Sequence, residues 1–220
     1  MHVWHRDGEV TFAGQIHVIL GDRRIAPKAN TAALAQLFTM QRTVGTSTSI
    51  ANVDALPAAC IWQVDSRGVR ESRYWQLEWR QPDFGVEEGA ELLSAALRRA
   101  MQRQTSSANS GLLLSGGIDS RLVLAAAPKA SLSSWTTAGY EENPELAIAR
   151  RMAEQFASPH KTLLVNPEDT FNTLDQTVID SNGLYPASTA MSAFLKPVGQ
   201  SCSAILTGHG IDYTLRGYYL

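Results

Sequence analysis

Two cysteines, Cys60 and Cys202, in 220 residues are too few and too far apart for a disulfide framework or a paired zinc spacing. Reduced thiols and a cytoplasmic location are therefore the expectation. No apolar run reaches the length that a bilayer requires, and no signal-peptide pattern is present. Charge of one sign is missing as well, because 19 basic residues face 21 acidic ones and leave a net charge of −2. That balance lacks the basic footprint of a nucleic-acid binder, so the expected partners are small molecules or protein, with no nucleic acid and no membrane. Internal repeats and low-complexity tracts are also absent. What remains, 44% hydrophobic and 18% charged residues, suffices for about one to two globular cores.

Against that plain background one motif stands out. Ser115-Gly116-Gly117-Ile118-Asp119-Ser120 follows the apolar run Leu112-Leu113-Leu114 and precedes Arg121-Leu122-Val123-Leu124-Ala125-Ala126-Ala127. The order reads as strand, anion-binding loop, helix. Adjacent glycines let backbone N–H groups converge on an anion, the serines add hydroxyls, and a helix N-terminus favours phosphate. Asp119 would repel phosphate oxygens unless a cation stood between them, which points to magnesium held by one or two carboxylates plus phosphate. No lysine follows the glycines, so the loop is not the kinase-type P-loop.

The pattern on either side divides near Gln81-Pro82-Asp83-Phe84-Gly85. Before the break, Gln15-Ile16-His17-Val18-Ile19-Leu20 reads as a strand. Asn30 reads as the cap of a short helix with Leu34, Leu37 and Phe38 on one face, and residues 60–70 as a hairpin turning at Asp65-Ser66-Arg67-Gly68. After the break, helices and strands alternate. A helix carries Val86, Ala90, Leu93, Leu97 and Met101; strands are expected around residues 112, 133–137, 161–165 and 203–207. Asn143-Pro144 opens a helix with Ile148, Met152 and Phe156, and a further helix spans Phe171, Leu174 and Val178. Such alternation predicts an α/β fold, a parallel sheet with helices on both faces, whose ligands sit at the carboxyl ends of the strands. A second glycine loop, Thr207-Gly208-His209-Gly210-Ile211-Asp212, falls at such an end.

The first loop resembles the PP-loop of ATP pyrophosphatases, and its flanks resemble those of the asparagine synthetase family. The resemblance implies ATP and Mg2+ as cofactors. Phosphates would lie on Ser115, Gly116, Gly117 and Ser120, with Asp119 and Asp212 as metal ligands. It also implies nucleotide contacts from Thr207 and Gly208 and from Leu114, Ala138 and Gly139, which match adenine-lining positions, and an acyl-substrate wall at Tyr185-Pro186-Ala187-Ser188-Thr189. His209 stands where the family has a glutamate that works on the acyl-adenylate. A histidine supplies no fixed negative charge but can act as a base, so His209 and Asp119 are the catalytic candidates. Tyr213 replaces the acid that follows the family's aspartate. His160 has a family counterpart and is expected to be structural.

Two domains follow from the same resemblance. Residues 1–80 resemble the later part of a glutaminase domain, including Arg73-Tyr74-Trp75, without the family's amino-terminal nucleophilic cysteine; position 2 is His2 and Cys60 reads as a small buried hydrophobe. Residues 84–220 resemble the ATP-binding domain and stop short of the family's catalytic lysine. Without that nucleophilic cysteine and the first half of the glutaminase domain, glutamine hydrolysis by this chain is not expected. The implied activity is an AMP-forming amide synthetase that joins a small carboxylate to ammonia or an amine. Two alternatives stay open: a non-catalytic nucleotide-binding remnant, and a cyclase of the same family that closes β-lactam or lasso-peptide rings with an internal amine. A homodimer is likewise left open.

Overall fold

The computed structural model describes residues 1–6, 8–78, 83–106, 109–183 and 191–211. The chain forms two compact units, one of residues 1–81 and 173–190, the other of residues 82–172 and 191–220.

In the first unit, β1 (His2–Arg6) and β2 (Glu9–Ala13) form an antiparallel hairpin, followed by α1 (Ile16–Leu20), α2 (Thr31–Met40), β3 (Val53–Ala55) and the hairpin of β4 (Cys60–Asp65) and β5 (Gly68–Arg73). Strand β1 lies between β2 and β3, and its Trp4 packs with Ile16, Ile19, Ile25 and Val53. The expected strand at residues 15–20 is a helix. Its β-branched residues favour a strand locally, yet Ile16 and Ile19 are buried while His17 and Val18 are exposed, a helical spacing. Asn30 caps α2 as expected, its side-chain oxygen accepting from the Ala33 N–H at 3.2 Å. The face of α2 differs, for Ala33 is the buried residue and Phe38 is exposed. The β4–β5 turn has Gly68 at φ +116°, a conformation that suits a residue without Cβ. Cys60 is buried.

The second unit begins with α3 (Val86–Thr105) and continues through β6 (Ser110–Leu113), α4 (Ile118–Ala126), β7 (Ser133–Ala138), α5 (Pro144–Gln155), β8 (His160–Leu164) and α6 (Pro167–Asn172). After α7 (Leu174–Asp180), which belongs to the first unit, come α8 (Met191–Gly199) and β9 (Ala204–Leu206). The single helix expected across residues 171–178 is two, α6 and α7, separated at Thr173, and Phe171 is exposed.

Four parallel strands in the order β8-β7-β6-β9 form the sheet, confirming the α/β expectation. Alternation along β6 sends its side chains to opposite faces. Leu112 and Leu114 pack with Met101, Val123, Leu124, Ala149 and Ala153 of α3, α4 and α5. Leu113 packs on the other face with Trp135, Val198 of α8 and Cys202. Helices thus cover both faces. Full burial of a leucine side chain contributes about 1.5–3 kcal/mol, so Leu112 and Leu114 anchor the strand that launches the glycine loop. Asn143 caps α5 by accepting from the Glu145 N–H at 2.9 Å, with Pro144 in the first turn. The buried stripe of α5 is Leu146, Ala149 and Ala153, with Met152 and Phe156 packed beside it. No helix among the described residues is long and apolar enough to cross a membrane.

Candidate nucleotide site

Strand order reverses between β6 and β9: the chain leaves β6 for β7 and β8 on one side, and β9 occupies the other. In an open parallel sheet the crevice beside such a reversal, at the carboxyl ends of the strands, is where ligands bind. The loops that leave β6 and β9 are the two glycine loops read from the sequence.

They meet in backbone contact. A Cβ placed on Gly208 would lie 2.6 Å from the main-chain nitrogen of Ser120, 2.7 Å from the carbonyl carbon of Asp119 and 2.9 Å from the Asp119 Cβ. Only glycine lets the β9 loop lie on the first turn of α4. Beyond Gly208, the His209 N–H donates to Thr207 Oγ1 at 3.3 Å and the Ile211 N–H to the Gly208 carbonyl at 3.3 Å, turning the loop back with Gly210 at φ +94°. The His209 residue is exposed.

The first loop is braced from inside. Ser115 N–H donates to Ser120 Oγ at 3.0 Å, the two hydroxyl oxygens lie 3.0 Å apart, and Gly117 N–H donates to Ser115 Oγ at 3.1 Å. Ser120 is buried at 5% exposure, so its hydroxyl serves the loop's own backbone. Gly117 caps α4 without any side-chain cap bond, and Asp119 lies in the first turn, where the helix dipole favours a carboxylate. On the opposite side, a Cβ on Gly116 would sit 3.1 Å from both Cα and Cβ of Glu145, which brings the first turn of α5 against the loop. Sequence reading did not single out Glu145; the Asn143-Pro144 cap that starts α5 after β7 was the available signal.

Leu114 and Ala138, which the resemblance matches to adenine-lining positions, are both buried at strand ends. The Leu114 N–H donates to the Trp135 carbonyl at 2.8 Å, and the Ala138 carbonyl accepts from the Val165 N–H at 2.9 Å. Gly139 follows with nothing nearer its Cβ position than the Val165 carbonyl at 4.0 Å. The structure therefore brings Ser115, Gly116, Gly117, Asp119, Ser120, Thr207, Gly208 and His209 to one end of β6 and β9. Asp212 and the stretch at residues 185–189 lie outside the described residues.

His160 sits at the other end of the sheet, paired with Ser134 at the amino ends of β8 and β7. Its Nδ1 lies 3.0 Å from Ser134 Oγ, and Ser158 Oγ reaches both Ser134 Oγ at 3.0 Å and the Leu132 carbonyl at 2.9 Å. Burial, with Arg150 nearby, holds the imidazole below its ordinary pKa. That placement matches the structural role expected for it. Burial pushes the Cys202 thiol up, which disfavours the thiolate.

Residues 90–220 match the protein family described as asparagine synthase. The chain belongs to that family. Over 160 residues this asparagine synthase family chain is 29% identical to the glutamine-hydrolysing asparagine synthetase of Homo sapiens, and over 122 residues it is 32% identical to that of Cricetulus griseus. Those stretches cover 66% and 49% of this chain but only 28% and 22% of the relatives. The chain thus spans less than a third of their length. Among solved structures, an NH3-dependent NAD synthetase from Campylobacter jejuni subsp. jejuni NCTC 11168 aligns with 59% of this chain and 60% of its own at a TM-score of 0.42 and 19% identity.

Proposed function

We propose that the second unit is the nucleotide-activating part of an ATP-dependent, AMP-forming ligase that joins a small carboxylate to ammonia or an amine. The carrying observation is the backbone contact of Gly208 with the first turn of α4, which places both glycine loops at the sheet's reversal point. ATP phosphates would be received by loop backbone N–H groups and the α4 N-terminus, where positioning and charge neutralisation dominate the chemistry. A substrate carboxylate oxygen would attack the α-phosphorus, and the bond from that phosphorus to the bridging oxygen would break to release pyrophosphate. The amine would then attack the acyl carbon and release AMP.

The residues present fit a magnesium ion: Asp119 offers a partly buried carboxylate in the first turn of α4, with its Oδ1 buried, and one or two carboxylates plus phosphate oxygens make up the ion's usual set. Asp212 is the second carboxylate that the family resemblance implies. When bound, the ion would neutralise charge on the departing pyrophosphate. His209, exposed on the second loop, is the candidate base beside the acyl group. The domain arrangement implied by sequence, residues 1–80 glutaminase-like and 84–220 ATP-binding, is part of the same proposal, as are a cytoplasmic location and a small-molecule carboxylate partner.

Isotope exchange between pyrophosphate and ATP, run on the full-length protein with a panel of carboxylic acids, tests this reading. Acid-dependent exchange that needs magnesium is expected. Asp119→Ala is expected to lower exchange at least about tenfold, because it removes a charged ligand worth roughly 1.5–3 kcal/mol in a charge-assisted contact. Binding of ATP without exchange under any acid would leave a nucleotide-binding role and overturn the ligase.

A further inference from the structure

Pairing of β6 with β7 ends at Leu113 and Trp135, and the next peptide unit, between Leu114 and Ser115, is the one from which the glycine loop departs. Its two polar groups go to side chains instead of to the ladder. The Leu114 carbonyl accepts from the hydroxyl of Thr136, and the Ser115 N–H donates to the hydroxyl of Ser120 at 3.0 Å. All three partners are buried, Leu114 at 1%, Thr136 at 3% and Ser120 at 5% exposure. The bond from Thr136 to the Leu114 carbonyl is buried and the one from the Ser115 N–H partly so, and a buried peptide group that loses its partner carries its desolvation cost. One peptide plane is held from both sides, by β7 through Thr136 and by α4 through Ser120.

We propose that Thr136 is a positioning residue for nucleotide binding: its hydroxyl fixes the Leu114–Ser115 peptide plane and so aims the loop that follows. Orientation propagates forward, because Ser115 Oγ accepts from the Gly117 N–H at 3.1 Å and stands 3.0 Å from Ser120 Oγ. Releasing the Leu114 carbonyl frees rotation of that plane, and the Ser115–Ser120–Gly117 brace loses its fixed starting point. Position 136 lies on the strand next to the loop, and alternation along β7 puts Thr136 on the same face as Leu114. A valine there has the same shape and no hydroxyl. A serine keeps the hydroxyl and loses only a methyl group.

The nucleotide half of this inference rests on the proposed function; the clamp itself does not, and the experiment separates them. Amide hydrogen exchange on the wild-type chain is expected to show Ser115 N–H, which lies past the strand, protected to the level of Leu113 in β6. Fast exchange at Ser115 would overturn the clamp even if no variant folded. In Thr136→Val, exchange at Ser115 and Gly117 is expected to rise by about tenfold or more relative to amides of β8, as loss of one buried hydrogen bond allows. Titration with ATP and magnesium is expected to weaken by a similar factor, about tenfold. Thr136→Ser should restore both readouts. Equal behaviour of the valine and serine variants, or altered affinity with unchanged Ser115 exchange, would refute Thr136 as the positioning group. A wild-type chain that binds no ATP would refute the nucleotide reading, while the exchange data would still decide the clamp.

Discussion

The two ends of the parallel sheet are built from the same small residues and use them in opposite ways. At the carboxyl ends of β6 and β9, glycine and serine bring main chains together: Gly208 lies on the first turn of α4, Gly116 lies against Glu145, and Ser115 and Ser120 brace the first loop by accepting from its own N–H groups. At the amino ends of β7 and β8, Ser134, Ser158 and His160 close on one another, with Ser134 fully buried. One end packs two loop backbones against each other. The other joins Ser134, Ser158 and the His160 Nδ1 to one another, leaves the His160 Nε2 buried without a partner among the described residues, and lowers the imidazole's pKa through burial. The comparison teaches that polar side chains at strand ends can close on one another, whereas the approach of two backbones at a reversal of strand order is what the proposed site rests on.

The strongest way to break that comparison is a methyl group at the carboxyl end. In Gly208→Ala the new Cβ would meet main-chain atoms of Asp119 and Ser120 at 2.6–2.7 Å, and a helix backbone cannot step aside as a side chain can. Overpacking of this kind costs about 1–3 kcal/mol, and the loop that moves is the one proposed to hold the nucleotide. Expected are a lower denaturation midpoint and loss of ATP affinity beyond about tenfold. Gly111→Ala is the control, because its Cβ would strike the Trp135 ring at 2.4 Å and Cys202 Sγ at 2.8 Å, away from the loops. It should lose stability with much smaller change in ATP affinity per unit of stability lost. Equal affinity losses in both variants would show the loop contact to be unrelated to binding.

A smaller effect is expected at the amino end. Ser134→Ala removes the hydroxyl that joins Ser158 to His160 and leaves buried groups short of a partner, at a cost of about 1–3 kcal/mol, with ATP affinity unchanged. The same network sets a pH dependence. His160 has a folded-state pKa below the 6.5 of the unfolded chain, so as pH falls below 6.5 the unfolded state takes up a proton that the folded state does not. Stability is full above that value and declines below it until the folded imidazole is protonated too. His2, lowered mainly by burial against the opposing Gly14 carbonyl, shifts in the same direction in the first unit. Chemical denaturation between pH 7.5 and 5 checks this, and His160→Asn should make the acid decline shallower without abolishing it. An unchanged decline in that variant would remove His160 from the account.

Much of this was legible in the sequence where local chemistry and tertiary context agree. Ser115 to Ser120, the apolar run before it and the alanine-rich helix after it specify strand, loop and helix without help from elsewhere, as do the Asn30 and Asn143 caps. Residues 15–20 resemble a strand because Ile16, Val18 and Ile19 prefer strands, whereas a partner of the helix start comes from far along the chain: the Ile16 N–H donates to Asn182 Oδ1 at 2.7 Å across 166 residues. Ser120 reads from the motif as a phosphate ligand, and the structure turns its hydroxyl inward to Ser115. Thr136 carried no signal at all, since a threonine in a strand is ordinary until its hydroxyl is seen to hold the carbonyl of Leu114. Pattern reports which residues can make an element; which hydroxyl holds which peptide depends on strand order.

The smallest effect on binding is expected at His209, and it sharpens the comparison from within the carboxyl end. Its residue is exposed, its backbone N–H donates to Thr207, and the neighbouring Gly208 lies on α4. Truncation in His209→Ala should therefore leave stability within about 0.5 kcal/mol, as for exposed sites without special roles in packing. ATP affinity should stay within about twofold, because backbone N–H groups and a magnesium ion on the Asp119 carboxylate would hold the phosphates in the proposed arrangement. Turnover is where the side chain should matter. If His209 faces the acyl group as a base, His209→Ala lowers the exchange rate at saturating ATP without raising the ATP requirement, whereas His209→Glu gives a different preference among carboxylic acids by placing a negative charge there. Calorimetric titration and isotope exchange on the same full-length preparations distinguish these outcomes. A rate unchanged in both variants would make the second loop a nucleotide contact alone, and its role would then rest on Gly208 rather than on the residue beside it.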